Sequence, residues 1–530
     1  MQLAPYSRNL YDLVCEQAGR HGERAALIVA GESISYAGLA ARAGRAAAAL
    51  RAAGVQQGET VALLLSNSVE WIELCLGAAA IGAVPAPLST WSTRRELDFL
   101  LRDSAAVLVV AQARLGERDF AADLRALVAG DLPQLKRVVL LGGDSGGNAV
   151  SYADFLGQAA GFTAPPPGER AGPADTAFVL FTSGSTAYPK AVPLAHGAAI
   201  ENGFNIGERQ GLTSEDRVFL PVPLFWSYGS ANAMCATFTH GATLVLQERF
   251  DAGSALDMIE AHACTAIYTL PAITAALIGH ERFTAQRTAS LRVAMTIGTP
   301  QDVATVARRL GAREVCNIYG QTESYGNCCV TPHDWPLEAR MHSQGPPLPG
   351  MRLRIVDPAS GAGLPAGEVG LIEVKGYLTP GYAGASQAQN ASAFTADGYF
   401  RTGDLGRLDA DGCLSFQARD SEMIKRAGIN IAPAEVEEVL RQHPGVAAAG
   451  VAGAPHPVKG EIVVAFVVPA PGVSLDADSL RHHCRALAAT YKTPDRVEIR
   501  AELPVTNTGK LMRRELKSMA AALAATEGHT

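Results

Sequence analysis

Between about residue 25 and residue 345, short apolar runs alternate with stretches whose apolar residues recur at helical spacing. Strands that read as continuous hydrophobic runs must be covered on both faces, and helices returning between them supply that cover. Residues 61–65 run Val61, Ala62, Leu63, Leu64, Leu65 and give way to a helical pattern over 69–79. The helical stretch 94–103 precedes the apolar run 106–110, and the apolar run 243–246 precedes an amphipathic stretch over 254–263. Further runs follow at 266–268, 293–297 and 315–318. This is the pattern of largely parallel sheets with flanking helices.

At 530 residues the chain exceeds one ordinary core, so two or more domains are expected. After Gly345-Pro346-Pro347-Leu348-Pro349-Gly350 the pattern shifts to short strands and Gly/Asp turns such as Asp397-Gly398 and Asp411-Gly412, which reads as a β-rich subdomain over about 346–418. It shifts again near Arg419. The remaining tail has its own strand over 463–468, a helix over 478–489 and a basic end, enough for a small α+β domain. The expected fold class is therefore α/β: a large N-terminal domain over 1–418 of parallel-rich sheets, helices and a β-subdomain, and a small mobile α+β C-terminal domain over 419–530.

Composition narrows the function classes. A net charge of −7 without a basic stripe argues against nucleic acid as a partner. Nine cysteines without a CxxC pair point to reduced thiols in a cytoplasmic protein, and Cys328-Cys329 reads as a pair of small buried hydrophobes. No signal peptide and no membrane-spanning run are visible. A homodimer is the default expectation for such an enzyme-sized chain.

Five stretches carry the chemistry. Phe181-Thr182-Ser183-Gly184-Ser185-Thr186-Ala187-Tyr188-Pro189-Lys190 follows the apolar run 176–180. Backbone N–H groups, hydroxyls and one cation at a strand end can surround a polyphosphate, although a Ser/Gly surface turn has the same composition. Its spacing is not that of a Walker A loop. Tyr319-Gly320-Gln321-Thr322-Glu323 follows another strand and offers a carboxylate for Mg2+; a solvated turn is the plain alternative. Asp404, in Tyr399-Phe400-Arg401-Thr402-Gly403-Asp404, can bridge a ribose diol or simply cap a turn. The segment from Arg419 through Ser421 to Gly428 leads to a helix start at Pro433, and Thr506-Asn507-Thr508-Gly509-Lys510 sets a lysine on a glycine turn near the chain's end, where a solvated tail charge is the plain alternative.

In this order and spacing, the five stretches resemble the adenylate-forming superfamily of acyl-CoA synthetases, peptide-synthetase adenylation domains and beetle luciferases, and most of all a stand-alone acyl- or aryl-CoA ligase. Pro223-Leu224-Phe225, residues 345–350 and Tyr491-Lys492-Thr493-Pro494 extend the likeness over nearly the whole chain. The resemblance implies ATP-dependent activation of a carboxylic acid to an acyl-adenylate, then thioester formation with coenzyme A, releasing AMP and pyrophosphate. It implies ATP, Mg2+ and CoA as cofactors and small-molecule partners. It further implies that Thr182, Ser183, Gly184, Ser185, Thr186 and Lys190 hold the departing phosphates, that Thr322 touches the α-phosphate and that Glu323 holds Mg2+. Gly298, Thr299, Pro300 and Tyr319, with Asn317 at the edge, would enclose adenine, and Asp404 and Arg419 would bind the ribose. Lys510 would bridge the carboxylate and α-phosphate. The C-terminal domain would then turn about the hinge at Arg419 and Ser421, with Gly428 letting pantetheine pass.

The sequence departs from the family in three places. Ala187 and Ala191 replace usual glycines, Ser421 stands where Asp or Lys is usual, and Trp226 follows Pro223-Leu224-Phe225 where histidine is common. Trp226, Ser227, Tyr228, Ile297, Gly298, Ile318, Tyr325 and Gly326 match acyl-pocket positions. No acidic residue lies in 225–236, so an α-ammonium would lack a partner and a free amino acid is disfavoured. An aromatic, alicyclic or medium-length acid is expected. Two alternatives stand beside the CoA ligase: an adenylating enzyme that loads a carrier protein, and an inactive ligand-binding homologue.

Overall fold

A computed structural model describes residues 3–130, 132–143, 149–159, 165–166, 170–182, 189–384, 387–419, 422–426, 429–456, 459–488, 490–506 and 510–527. The chain divides into two compact units, Met1–Arg352 with Val374–Phe400, and Leu353–Glu373 with Arg401–Thr530.

The first unit is built on two sheets. One has eight strands in which Glu314–Tyr319, Val293–Thr296, Ala266–Tyr268, Arg217–Leu220, Thr243–Leu246 and Ala25–Val29 lie side by side and parallel. Antiparallel strands Cys329–Val330 and Glu32–Ser35 close its two edges. The other sheet has five parallel strands, with Thr60–Leu64 and Leu108–Gln112 at its centre. The central strands are apolar on both faces because both are covered; Val293–Thr296 and Thr243–Leu246 are buried at every position. Among the described residues Thr176–Thr182 pairs with Lys190–Ala195 in an antiparallel two-stranded ribbon.

Close packing of two helices in this unit depends on Gly77. Helix Val69–Ile81 starts at a Ser68 cap and crosses helix Tyr36–Ala52 where Gly77 meets an alanine face. A Cβ at Gly77 would stand 2.8 Å from Ala47 N and 2.9 Å from Ala43 O. Gly77→Ala is therefore expected to cost about 1–3 kcal/mol, since backbone cannot yield as a side-chain tip can. Gly19→Ala, on helix Leu10–His21 with nothing within 4 Å, is expected to hold or raise the thermal midpoint. Calorimetry of the pair checks this, and equal midpoints would refute the packing account.

The second unit contains most of a four-stranded sheet, Arg352–Val356, Gly370–Lys375, Phe400–Leu408 and Leu414–Arg419. It also contains a five-stranded sheet centred on the long antiparallel pair Val446–His456 and Gly460–Pro469. One face of that pair packs on helices Pro433–Arg441 and Ala477–Leu487 through Val436, Leu440, Leu480 and Cys484. The other face packs on helix Arg513–Glu527 through Leu516 and Ala520. Pro433 stands at the first turn of its helix, as its fixed φ and missing N–H favour.

Candidate active site

In the first unit the candidate residues gather at the C-terminal ends of parallel strands, where open α/β sheets bind ligands. Strand Val293–Thr296 ends at Ile297, Gly298, Thr299 and Pro300, which keep partial exposure. Thr299 caps the following helix: its hydroxyl donates to Asp302 Oδ2 at 2.7 Å and accepts from Asp302 N at 3.3 Å. A Cβ at Gly298 would lie 2.7 Å from the same carboxylate, so only glycine fits that turn.

The adjacent strand Glu314–Tyr319 carries Asn317, Ile318 and Tyr319, all buried. The Asn317 side-chain amide donates to the carbonyls of Arg340 at 3.2 Å and Ser343 at 3.0 Å, which fixes the floor of this end of the sheet. A short turn, Thr322–Ser324, follows. Glu323 is 7% exposed, and its Oε1 accepts from the Tyr382 hydroxyl at 2.8 Å. Thr322 Oγ1 lies 3.1 Å from Ser227 Oγ, so the carboxylate turn touches the Trp226–Tyr228 stretch directly. Tyr325 is in the left-handed region at φ 59° and is buried; its hydroxyl accepts from Ala195 N at 2.8 Å. Burial pushes its phenol up to about 12. Tyr325 thus ties this turn to the hairpin that carries Lys190.

Lys190 opens the second strand of that hairpin, directly opposite Thr182. Its ammonium lies 4.5 Å from the centre of the Tyr382 ring. Ser183, Gly184, Ser185 and Thr186 lie outside the described residues, as do Ser421 and Gly428.

Trp226 and Tyr228 frame a partly exposed wall. The Trp226 ring meets Trp91 edge-on at 5.3 Å and Phe225 at 6.1 Å. The Tyr228 hydroxyl donates to Met295 O at 2.8 Å, and its ring packs on Tyr268 at 5.2 Å. The stretch Tyr228–Met234 is a π-helix, a form that recurs at functional sites. Gly229 is required where it starts, because a Cβ would come within 2.2 Å of Pro223 O. Cys328 and Cys329 are buried thiols, packed as the sequence leads one to expect.

In the second unit, Asp404 and Arg419 are cross-strand partners in an antiparallel pair, with Nε 2.9 Å from Oδ1. The aspartate is 3% exposed, while half the arginine side chain reaches solvent. Lys510 is bonded to Thr506: Thr506 N donates to Lys510 O at 2.8 Å and Lys510 N donates to Thr506 Oγ1 at 3.2 Å. Arg513, three residues on, is paired with Glu437, whose Oε1 also accepts from Val451 N at 2.7 Å. Lys510 is exposed as a residue, yet lost hydration and then the nearby Arg419 charge lower it below the ordinary lysine value.

Tyr382, Thr379 and Asn390 escape the sequence reading. Thr379 and Tyr382 sit in an irregular segment whose signal is Pro380-Gly381, and Asn390 lies on the short helix Gln387–Ala393.

Glu323 supplies a hard carboxylate donor that accepts a hydrogen bond from the Tyr382 phenol. That suits Mg2+, which takes one or two protein oxygens and completes its shell with phosphate oxygens and water. Among the described residues no group of three or more His, Cys, Asp or Glu converges to form an all-protein cage.

Residues 14–383 match the AMP-binding enzyme family model, and residues 435–510 match the AMP-binding enzyme C-terminal domain. The chain is 33% identical over 503 residues to a feruloyl-CoA synthase of Amycolatopsis sp, covering 94% of this chain and 95% of that one. It is 32% identical to the indoleacetate–CoA ligase of Aromatoleum aromaticum, covering 97% and 98%. The crystal structure of the anthranilate CoA ligase AuaEII with anthranoyl-AMP superposes with a TM-score of 0.86 at 26% identity, covering 98% and 99%. The chain belongs to the AMP-binding enzyme family, as an AMP-forming acyl-CoA synthetase that activates a carboxylic acid as its adenylate and transfers the acyl group to coenzyme A.

Proposed function

We propose that the acid is aromatic or alicyclic, and that the residues described above divide the two half-reactions between them. The observation that carries the substrate reading is the wall of Trp226, Tyr228, Ile297 and Gly298, partly exposed and without a charged group. A neutral ring gains from such a wall by burial and ring–ring contact, whereas an α-ammonium finds no partner. The feruloyl, indoleacetate and anthranilate enzymes among its relatives support the same class.

In the first half-reaction a carboxylate oxygen attacks the α-phosphorus, and the bond from that phosphorus to the bridging oxygen breaks to release pyrophosphate. Both partners are anions, so positioned cations supply most of the catalysis. Lys190 and Thr182, with Ser183, Gly184, Ser185 and Thr186, hold the departing phosphates. Thr322 donates to an α-phosphate oxygen, and Lys510 neutralises charge between carboxylate and phosphate. Glu323 would hold Mg2+, which when bound would offset charge on the phosphate oxygens. Tyr319, Gly298, Thr299 and Pro300 enclose adenine on a floor fixed by Asn317, and Asp404 with Arg419 holds the ribose hydroxyls. In the second half-reaction the thiolate attacks the acyl carbon and AMP departs; a turn of 419–530 about Arg419 and Ser421 withdraws Lys510 between the two. The cysteine usage, nine residues without a CxxC pair, supports a cytoplasmic setting.

A pyrophosphate-release screen over aryl, alicyclic, medium-chain and amino acids tests the substrate class. Aryl or alicyclic acids should give the highest kcat/KM, by tenfold or more if roughly two ring contacts are gained. Preference for a free amino acid would refute the reading. Replacing CoA by a phosphopantetheinylated carrier protein in the same assay should abolish turnover.

A further inference from the structure

Tyr382 touches two groups that the proposed mechanism uses separately. Its hydroxyl donates to Glu323 Oε1 at 2.8 Å, and its ring face lies 4.5 Å from the Lys190 ammonium. The ring is 9% exposed, so both contacts are made largely out of water, where they count for more.

The segment around it is a strap with anchors on both sides. Thr379 N donates to Glu323 O at 2.8 Å, and Thr379 Oγ1 donates to Pro193 O at 2.8 Å on the strand that Lys190 begins. Ala383 N donates to Ala191 O at 2.9 Å on the same strand. Tyr382 itself is clamped by Asn390, whose Oδ1 accepts from Tyr382 N at 2.8 Å and whose Nδ2 donates to Tyr382 O at 3.2 Å. Gly381 makes this clamp possible: its φ is 139°, and a Cβ there would meet Asn390 at 3.0 Å. The backbone is thus pinned to the carboxylate turn and to the lysine strand before the side chain makes its own two contacts.

We propose that Tyr382 is a positioning residue for adenylation: its hydroxyl orients the Glu323 carboxylate and its ring seats the Lys190 ammonium, so one side chain sets the metal-holding oxygen and the phosphate-holding cation in register. This rests on the reading above in which Glu323 holds Mg2+ and Lys190 faces the phosphates. A donor to one carboxylate oxygen fixes which way the other points, and such supporting groups tune metal affinity at a distance from the metal. The ring face attracts the ammonium without neutralising it, which leaves the charge available to a phosphate.

The test separates the two halves of the side chain. Mn2+ binding to the full-length enzyme, saturated with a non-hydrolysable ATP analogue, is measured by electron paramagnetic resonance for wild type, Tyr382→Phe, Tyr382→Leu and Glu323→Gln. Affinity for the same analogue is measured in metal-free buffer, and thermal midpoints are recorded. Tyr382→Phe should weaken Mn2+ binding about tenfold while leaving metal-free analogue affinity and the thermal midpoint unchanged. Tyr382→Leu should weaken both metal and metal-free binding. If Tyr382→Phe binds Mn2+ as wild type does while Glu323→Gln binds it weakly, the positioning role is wrong and the Glu323 assignment stands. If Glu323→Gln also binds Mn2+ normally, the Glu323 assignment fails and this proposal falls with it. Should the leucine variant not fold, the phenylalanine variant alone decides, because it keeps the ring.

Discussion

Lys510→Ala is expected to slow acyl-adenylate formation by about 10³-fold while leaving thioester formation from a supplied acyl-adenylate unchanged. The magnitude follows from the chemistry: two anions must meet, and a cation aimed at the developing charge is the kind of group whose loss costs two to three decades or so. The asymmetry follows from the second step, in which the thiolate attacks an uncharged acyl carbon instead of an anionic phosphorus and AMP departs after Lys510 has been withdrawn. A solvated tail charge would give neither effect. The hydrogen bonds between Thr506 and Lys510 and the Arg513–Glu437 pair just beyond argue for a placed lysine, since a tail lysine needs no such foundation. Equal losses in both half-reactions would point to general destabilisation instead.

The same residue sets a pH dependence. Lys510 acts as a cation, so adenylation is lost as pH rises through its pKa. Lost hydration and Arg419 lower that pKa, so the alkaline limb of kcat/KM for adenylation should fall below the ordinary lysine value. Lys510→Arg should move the limb upward or remove it, because a guanidinium does not deprotonate in this range. A limb unmoved by the arginine variant would assign the titration to another group.

Asp404→Ala is expected to raise the KM for ATP by about 10–100-fold, the loss of hydrogen bonds to a charged acceptor, with a smaller change in kcat. The buried carboxylate has the exposed arginine as partner, and the pair presents an anion and a cation side by side on neighbouring strands. Once its partner is gone, Arg419 regains hydration at the surface, so little stability should be lost with the pair itself. An unchanged KM with a lowered thermal midpoint would make Asp404 structural.

Much of the fold is legible in the sequence where two signals coincide. The helix Arg94–Asp103 is bounded as read because a Thr93–Glu96 capping box starts it and polar residues end it. The strands Thr243–Leu246 and Ala266–Tyr268 match because polar or glycine residues flank short apolar runs. The run read as 106–110 forms its strand at Leu108–Gln112, two residues later. Hydrophobicity continues across that boundary, and pairing with Arg137–Leu141 sets the register. Lys190, Glu323, Asp404 and Lys510 stand out because ordered motifs carry them. Tyr382 does not, because its partners are set by the fold: Glu323 is 59 residues away in sequence and Lys190 lies on another element.

The most direct measurement is the nucleotide balance of a single reaction containing ATP, Mg2+, CoA and an aryl acid, read by phosphorus NMR and chromatography. The account predicts AMP, pyrophosphate and an aryl thioester in equal amounts, each dependent on the acid. Formation of ADP and inorganic phosphate, or release of pyrophosphate that does not depend on any acid, would contradict it.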